Sequence, residues 1–152
     1  MRTGVRLGVD VGKVRVGLAA SDPSGFLASP VETLARQDEL RTLIERIVAE
    51  AADRNALEIV VGLPLSLSGA DTPSTADARL VAQALADASP VPVRMIDERL
   101  STVSAQSALH RSGRNARSSR SVIDQVAAVI LLQHALDSER AGREPGVIVD
   151  PT

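Results

Sequence analysis

The 152-residue chain predicts an α/β fold: a mixed five-stranded sheet with helices on both faces, in the order β-β-β-α-β-α-β-α-α. Three observations carry this. Strand-like segments follow one another without a helix over residues 5–34, which implies an antiparallel meander. Two later apolar runs alternate with helical stripes, the pattern of parallel βα units. One of these runs, residues 57–62, is nearly continuous in apolar residues, as buried parallel strands are.

Residues 5–11 and 14–21 form the opening hairpin. Its first strand is apolar but ends in an acid, Asp10. A carboxylate there needs a cation, a metal or backbone donors. Gly12 reads as a turn residue able to take positive φ. Asp22, Pro23, Ser24 and Gly25 make a turn. Residues 26–34 are a third strand, and Pro30 marks it as an edge or bulged one. Asp38 is the expected N-cap of a helix in which Leu40, Leu43, Ile44, Ile47, Val48 and Ala51 form one apolar stripe. After the strand at 57–62, Pro73, Ser74 and Thr75 open a second helix, with Ala76, Leu80, Val81, Ala84, Leu85 and Ala88 as its stripe. Residues 91–96 are a fifth strand running into Asp97, Glu98 and Arg99. Ser101 or Thr102 caps a third helix to about residue 111. The segment at 112–120 reads as a polar, basic loop, and a fourth helix spans about 121–136. The expected domain is 1–138, with a flexible tail at 139–152.

Composition narrows the function. Phe26 is the only aromatic residue, so no stacking platform for unpaired bases exists. No cysteine is present, which excludes disulfides and thiolate zinc sites. No signal-peptide pattern and no bilayer-length apolar run is visible, so the expected location is cytoplasmic. Net charge is −2, but the chain carries four Arg and no acid from residue 110 to 120. Arginine's planar fork suits phosphate. His110 and His134 lack metal-ligand spacing, and Ser66, Ser68 and Ser101 lack a paired base.

Three acids stand at places one sheet end can gather: Asp10, Glu98 and Asp124. Ala127 and Ala128 follow Asp124 on the same helix face and allow close approach to the sheet. Singly, each acid has a plain alternative. Asp124 can complement a helix dipole, Glu98 can pair with Arg99, and Asp10 can cap the turn at Gly12. Together they repel one another unless a cation joins them. An all-oxygen set selects magnesium or manganese (Mg2+ or Mn2+). Two such ions would clamp the attacking and leaving oxygens of a phosphodiester, so the expected chemistry is metal-assisted phosphodiester hydrolysis.

Four motifs in this order resemble the YqgF/RuvX family of pre-16S rRNA nucleases, also described as Holliday-junction resolvase-like. They are Gly8-Val9-Asp10-Val11-Gly12 with Arg15-Val16-Gly17-Leu18-Ala19 and Ser21-Asp22; Gly62-Leu63-Pro64-Leu65 with Gly69; Asp97-Glu98-Arg99-Leu100-Ser101-Thr102; and Val122-Ile123-Asp124-Gln125-Val126-Ala127-Ala128 with Ile130-Leu131-Leu132-Gln133. The resemblance implies a ribonuclease H-like fold and makes Asp10, Glu98 and Asp124 the metal-binding catalytic acids. It also implies an endonuclease with structured RNA, the 16S rRNA precursor, as substrate, or branched DNA. The family often has Lys where Ser121 stands, which moves a phosphate contact to Arg117 or Arg120.

Lys13 and Arg15 flank the hairpin turn as candidate phosphate contacts, with a solvated tip as the alternative. Arg99 either contacts phosphate, orients Glu98 or makes a structural salt bridge. Arg114, Arg117 and Arg120 form a candidate grip, with a solvated linker as the alternative. A non-catalytic nucleic-acid-binding assembly factor is the competing reading. An actin-like ATPase would need a duplicated domain, and one copy is present. A two-fold dimer suits junction cleavage, and a monomer suits processing of one RNA end.

Overall fold

The computed structural model describes residues 1–36, 39–99 and 116–152, with only the backbone for 116–124. The predicted cap Asp38, the helix expected at 101–111 and Arg114 lie outside the described residues. The elements are β1 (Arg6–Val11), β2 (Arg15–Ser21), β3 (Ala28–Ala35), α1 (Leu40–Asp53), β4 (Glu58–Leu63), α2 (Pro73–Ala88), β5 (Val93–Asp97), α3 (Ala116–Arg140) and β6 (Val147–Val149). They build one mixed sheet in the order β3-β2-β1-β4-β5-β6. The β1–β2, β2–β3 and β5–β6 pairs are antiparallel, and β4 is parallel to both β1 and β5.

Strand alternation assigns the faces. Leu7, Val9, Val16, Leu18, Ile59 and Val61 point into one core with Leu43, Ile44 and Ile47 of α1 and Val81 and Leu85 of α2. Ala19, Val60 and Ile96 point the other way, against Ala128, Leu131, Leu132 and Leu136 of α3. Gly8 lets α3 come close: a Cβ there would lie 3.0 Å from Leu132 Cβ and 3.2 Å from the Ala128 carbonyl oxygen. β3 is an edge strand, and its pairing with β2 slips by one residue between Leu18 and Ala19, across from Pro30.

The α1 stripe matches its predicted period, and Asn55 ends that helix in the left-handed region at φ 53°. The α2 stripe matches only in part, at Val81, Ala84 and Leu85. Its buried side is Thr75, Ala78, Val81, Ala82, Leu85 and Ala86, while Leu80 is exposed. The helix starts in a Thr72–Thr75 capping box, and the Thr75 hydroxyl also donates to the Pro64 carbonyl. The sheet has six strands, not five. β6 lies where a tail was expected, because Gly146, at φ 64°, lets the chain pass against β5: a Cβ there would meet the Met95 carbonyl oxygen at 2.0 Å. α3 begins at Ala116, so residues 116–120 are helix rather than the basic loop expected there.

At the N-terminal end of the parallel strands, Arg6, Glu58 and Arg94 are buried in a charged network that the exposed Arg2 joins. Arg94 Nε lies 3.3 Å and Arg2 Nη2 3.0 Å from Glu58, and Arg6 pairs with Glu139 of α3. Among the described residues, no helix is long and apolar enough to cross a membrane.

Candidate active site

Asp10 follows Gly8 on the α3 side of the sheet, so it sits on that face at the C-terminal end of β1. Its partner on β2 is Gly17, and Gly17 in turn is opposite Thr33 of β3. Glu98 leaves the end of β5, and its backbone N–H donates to the Leu63 carbonyl at 3.2 Å. Its side chain lies on the backbone of Gly62: a Cβ at that position would be 1.8 Å from Glu98 Oε2. Any residue other than glycine at 62 would displace the carboxylate.

Glu98 and Asp10 meet in a side-chain hydrogen bond. Burial, then the Asp10 charge, the bond to Asp10 and the Asp97 charge push the Glu98 carboxyl up to about 8. The hydrogen bond needs a proton between the two acids, and a cation would have to replace it for both to ionise. The all-oxygen donor set fits a hard divalent ion.

Asp124 lies on α3, and its side chain is outside the described residues. The backbone fixes its height along the sheet. Gln125 Nε2 donates to Thr33 Oγ1 at 3.0 Å, which places the Asp124 turn beside the Asp10–Gly17–Thr33 row. Asp124 is the ninth residue of α3, so the helix-dipole alternative does not apply.

The cations divide. Arg15 opens β2 next to buried Val16, on the same face as Asp10. Lys13 is exposed at the hairpin tip, beside a cavity of about 470 Å3 bounded by Gly12, Arg36 and the start of α2. Arg99 pairs with Asp97, with Nε 2.8 Å from Oδ2, and Nη1 reaches the Leu67 carbonyl at 3.4 Å. That pairing holds the Asp97 carboxyl below its usual range, and it means that Arg99 answers Asp97 rather than Glu98. Arg117 and Arg120 lie in the opening turns of α3.

Gly12 carries a correction. Its φ is not positive. Glycine is needed because its N–H donates to the Arg15 carbonyl at 2.9 Å, and a Cβ would lie 2.6 Å from that oxygen. Arg36 was not singled out from sequence. Its Nη1 donates to the Gly12 carbonyl at 3.0 Å and its guanidinium pairs with Asp77 of α2, which ties the hairpin tip to that helix. A lone Arg after a strand carries no such signal. Gly62 could have been found from the Gly-Leu-Pro-Leu motif.

The family model described as "RuvX: Holliday junction resolvase" matches residues 4–138. A protein of Clavibacter michiganensis subsp. michiganensis, named "Putative pre-16S rRNA nuclease", is 59% identical over 98% of this chain and 93% of its own length. A Leifsonia xyli subsp. xyli protein of the same name is 57% identical over 99% and 97%. Among solved structures, Thermus thermophilus RuvC in complex with a Holliday junction substrate superposes with a TM-score of 0.62. It covers 93% of this chain and 99% of RuvC at 17% identity, so the likeness is one of fold, the ribonuclease H-like fold. With the family pattern running from residue 4 to 138 and over half of all positions shared with near-full-length relatives, the chain belongs to the RuvX family.

Proposed function

We propose that this protein is a metal-dependent endonuclease that hydrolyses phosphodiester bonds of structured RNA, in maturation of the 5′ end of the 16S rRNA precursor. The observation that carries the reading is the Asp10–Glu98 contact over Gly62, two carboxylates that cannot both ionise without a cation. Asp10, Glu98 and Asp124 would hold Mg2+ or Mn2+. When bound, the metal supplies Lewis-acid stabilisation to the charge that builds on the attacking and departing oxygens.

The chain's own residues do the rest. Glu98 gives up its proton on ligation. Gly62 leaves room for its carboxylate, and Arg36 holds the hairpin whose Arg15 and Lys13 meet substrate phosphates. Arg99 pairs with Asp97, the acid that precedes Glu98 in the chain. Arg114, Arg117 and Arg120 extend the phosphate contacts, which makes binding fall steeply with salt. The names of the close relatives support RNA as the substrate. The family description favours a second reading, cleavage of branched DNA, for which a homodimer would suit the symmetry.

The test is cleavage of a 16S precursor 5′-leader RNA, a four-way DNA junction and duplex DNA, each with Mg2+, Mn2+ or EDTA. Wild type should cut the RNA with metal only, and Asp10→Asn should lose at least 100-fold. Preference for the junction would select the second reading. Metal-dependent cutting by neither protein, alongside salt-sensitive RNA binding, would replace the enzyme with a binding factor.

A further inference from the structure

Leu67 is 91% exposed, the most open large apolar side chain among the described residues. A single exposed leucine is ordinary on a protein surface. This one differs in how its backbone is held and in what holds it. It sits at the tip of the loop after β4, in a tight turn over residues 66–69. The Gly69 N–H donates to the Ser66 carbonyl at 2.8 Å, and the Ser66 N–H to the Ala70 carbonyl at 2.9 Å. The Ser66 hydroxyl takes the Ala70 N–H at 3.0 Å and lies 2.9 Å from the Ser68 hydroxyl. Gly69 closes the turn at φ 87°. The leucine is thus presented on an ordered frame, with little loop freedom left to lose on binding.

That frame is fastened to the strand ends that carry the acids. At its base, the Leu63 carbonyl accepts from the Glu98 N–H at 3.2 Å, one residue after the Gly62 on which the Glu98 carboxylate lies. At its tip, Arg99 Nη1 reaches the carbonyl of Leu67 itself at 3.4 Å, while Nε holds Asp97 at 2.8 Å. One guanidinium therefore sets the tip against the end of β5. Leu67 is five residues from Gly62, so its backbone stays within about 18 Å of that glycine. The chain's one aromatic ring cannot serve the same place. Phe26 follows the far end of β2, whereas Asp10 lies opposite Gly17, near its start.

The geometry points to Leu67 as a wedge that enters between two stacked bases beside the phosphodiester to be cut and opens that step. The protein then prefers RNA in which the step is weakly stacked, at a bulge or a helix end. Apolar side chains open base steps because they replace stacking with contact of their own and bury no polar group. The inference rests on the reading of the protein as an RNA nuclease and adds to it what decides where the cut falls. Leu67 touches bases, not metal or phosphate.

The test uses the full chain and 16S precursor 5′-leader RNAs that each carry 2-aminopurine, a base that brightens when unstacked, at a single position. Fluorescence is read in EDTA, which separates binding from cutting. Wild type should brighten adjacent positions by about threefold, and these should flank the cut mapped with Mg2+. Leu67→Asn keeps the branched shape and removes the apolar tip. Because the side chain is exposed, Tm should stay at the wild-type value. RNA affinity should stay within about threefold, since phosphate contacts carry it. Brightening should vanish, and kcat/KM on stacked RNA should fall about 10-fold. An abasic nucleotide at the brightened position removes the stack, and there the gap between variant and wild type should close. Undiminished brightening with Leu67→Asn, or an equal loss on stacked and abasic RNA, would overturn the wedge. If wild type brightens the probe through Leu67 yet cuts nothing with metal, the wedge stands and the nuclease reading falls. If it cuts RNA without brightening any position, the nuclease reading stands and the wedge falls. If it does neither, both fall.

Discussion

Two carboxylates in contact hold a proton that the unfolded chain releases. With the Glu98 carboxyl at about 8 in the fold against an ordinary 4.5, the folded protein binds the extra proton between those values. Its metal-free stability should therefore fall as pH rises from about 4.5 to 8. Glu98→Gln keeps a hydrogen bond to Asp10 and cannot ionise. In EDTA the variant should match wild type near pH 4 and exceed it at pH 9 by a few kcal/mol, on the order of 1.4 per pKa unit. Urea denaturation at both pH values checks this, and a variant less stable than wild type at pH 9 would contradict it. The acids themselves were legible from their places at strand ends and within the motifs. Their contact was not, because it depends on Gly62, a residue whose role is to leave space for a side chain 36 positions away. Gly12 shows the same limit: its position in the turn was readable, but the reason for glycine was a carbonyl contact.

At the scale of elements, α3 matters to the proposed site because Asp124, its third acid, lies on that helix. Gly8 and Ala128 set how near it comes. Gly8→Val adds three carbon atoms where the nearest neighbours of a single Cβ are already at 3.0 and 3.2 Å. The helix must lift, and overpacking of this kind costs about 1–3 kcal/mol. The expected result is a lower Tm and a larger loss of metal-dependent cleavage than stability alone would produce, measured well below Tm. Unchanged cleavage in the folded variant would show that α3 height does not matter. Element legibility followed periodicity. The α1 stripe stood out because its apolar residues are large and its other face is charged. In α2, alanine on several faces allowed the stripe to be placed one step round, leaving Leu80 in solvent. The opening turns of α3, rich in Arg and Ser, carry no apolar period and read as loop.

Across the whole molecule, the two ends of the sheet carry opposite electrostatic arrangements. The C-terminal ends of the parallel strands bring two acids, Asp10 and Glu98, into contact with each other, whereas the other end matches Arg2, Arg6 and Arg94 with Glu58 and Glu139. Nothing in the sequence marks this network, because the partner of Arg6 is 133 positions away. β6 closes the matched end. Arg94 Nη1 donates to the Pro145 carbonyl at 2.9 Å and approaches Glu144 at 3.3 Å, and Asp87 takes the Thr152 N–H at 2.8 Å. Removing residues 144–152 strips these bonds and opens the β5 edge, at about 2–4 kcal/mol for a buried charge that loses part of its pairing. Yet β6 pairs only with Val93, Arg94 and Met95, short of Asp97 and Glu98. The truncated protein should therefore denature at lower urea and self-associate through the bare β5 edge. At low temperature, where it remains folded, its kcat and its Mg2+ requirement should equal those of the full chain. A drop in kcat without a loss of stability would mean that β6 helps to aim Glu98, and that the two ends of the sheet are coupled through β5.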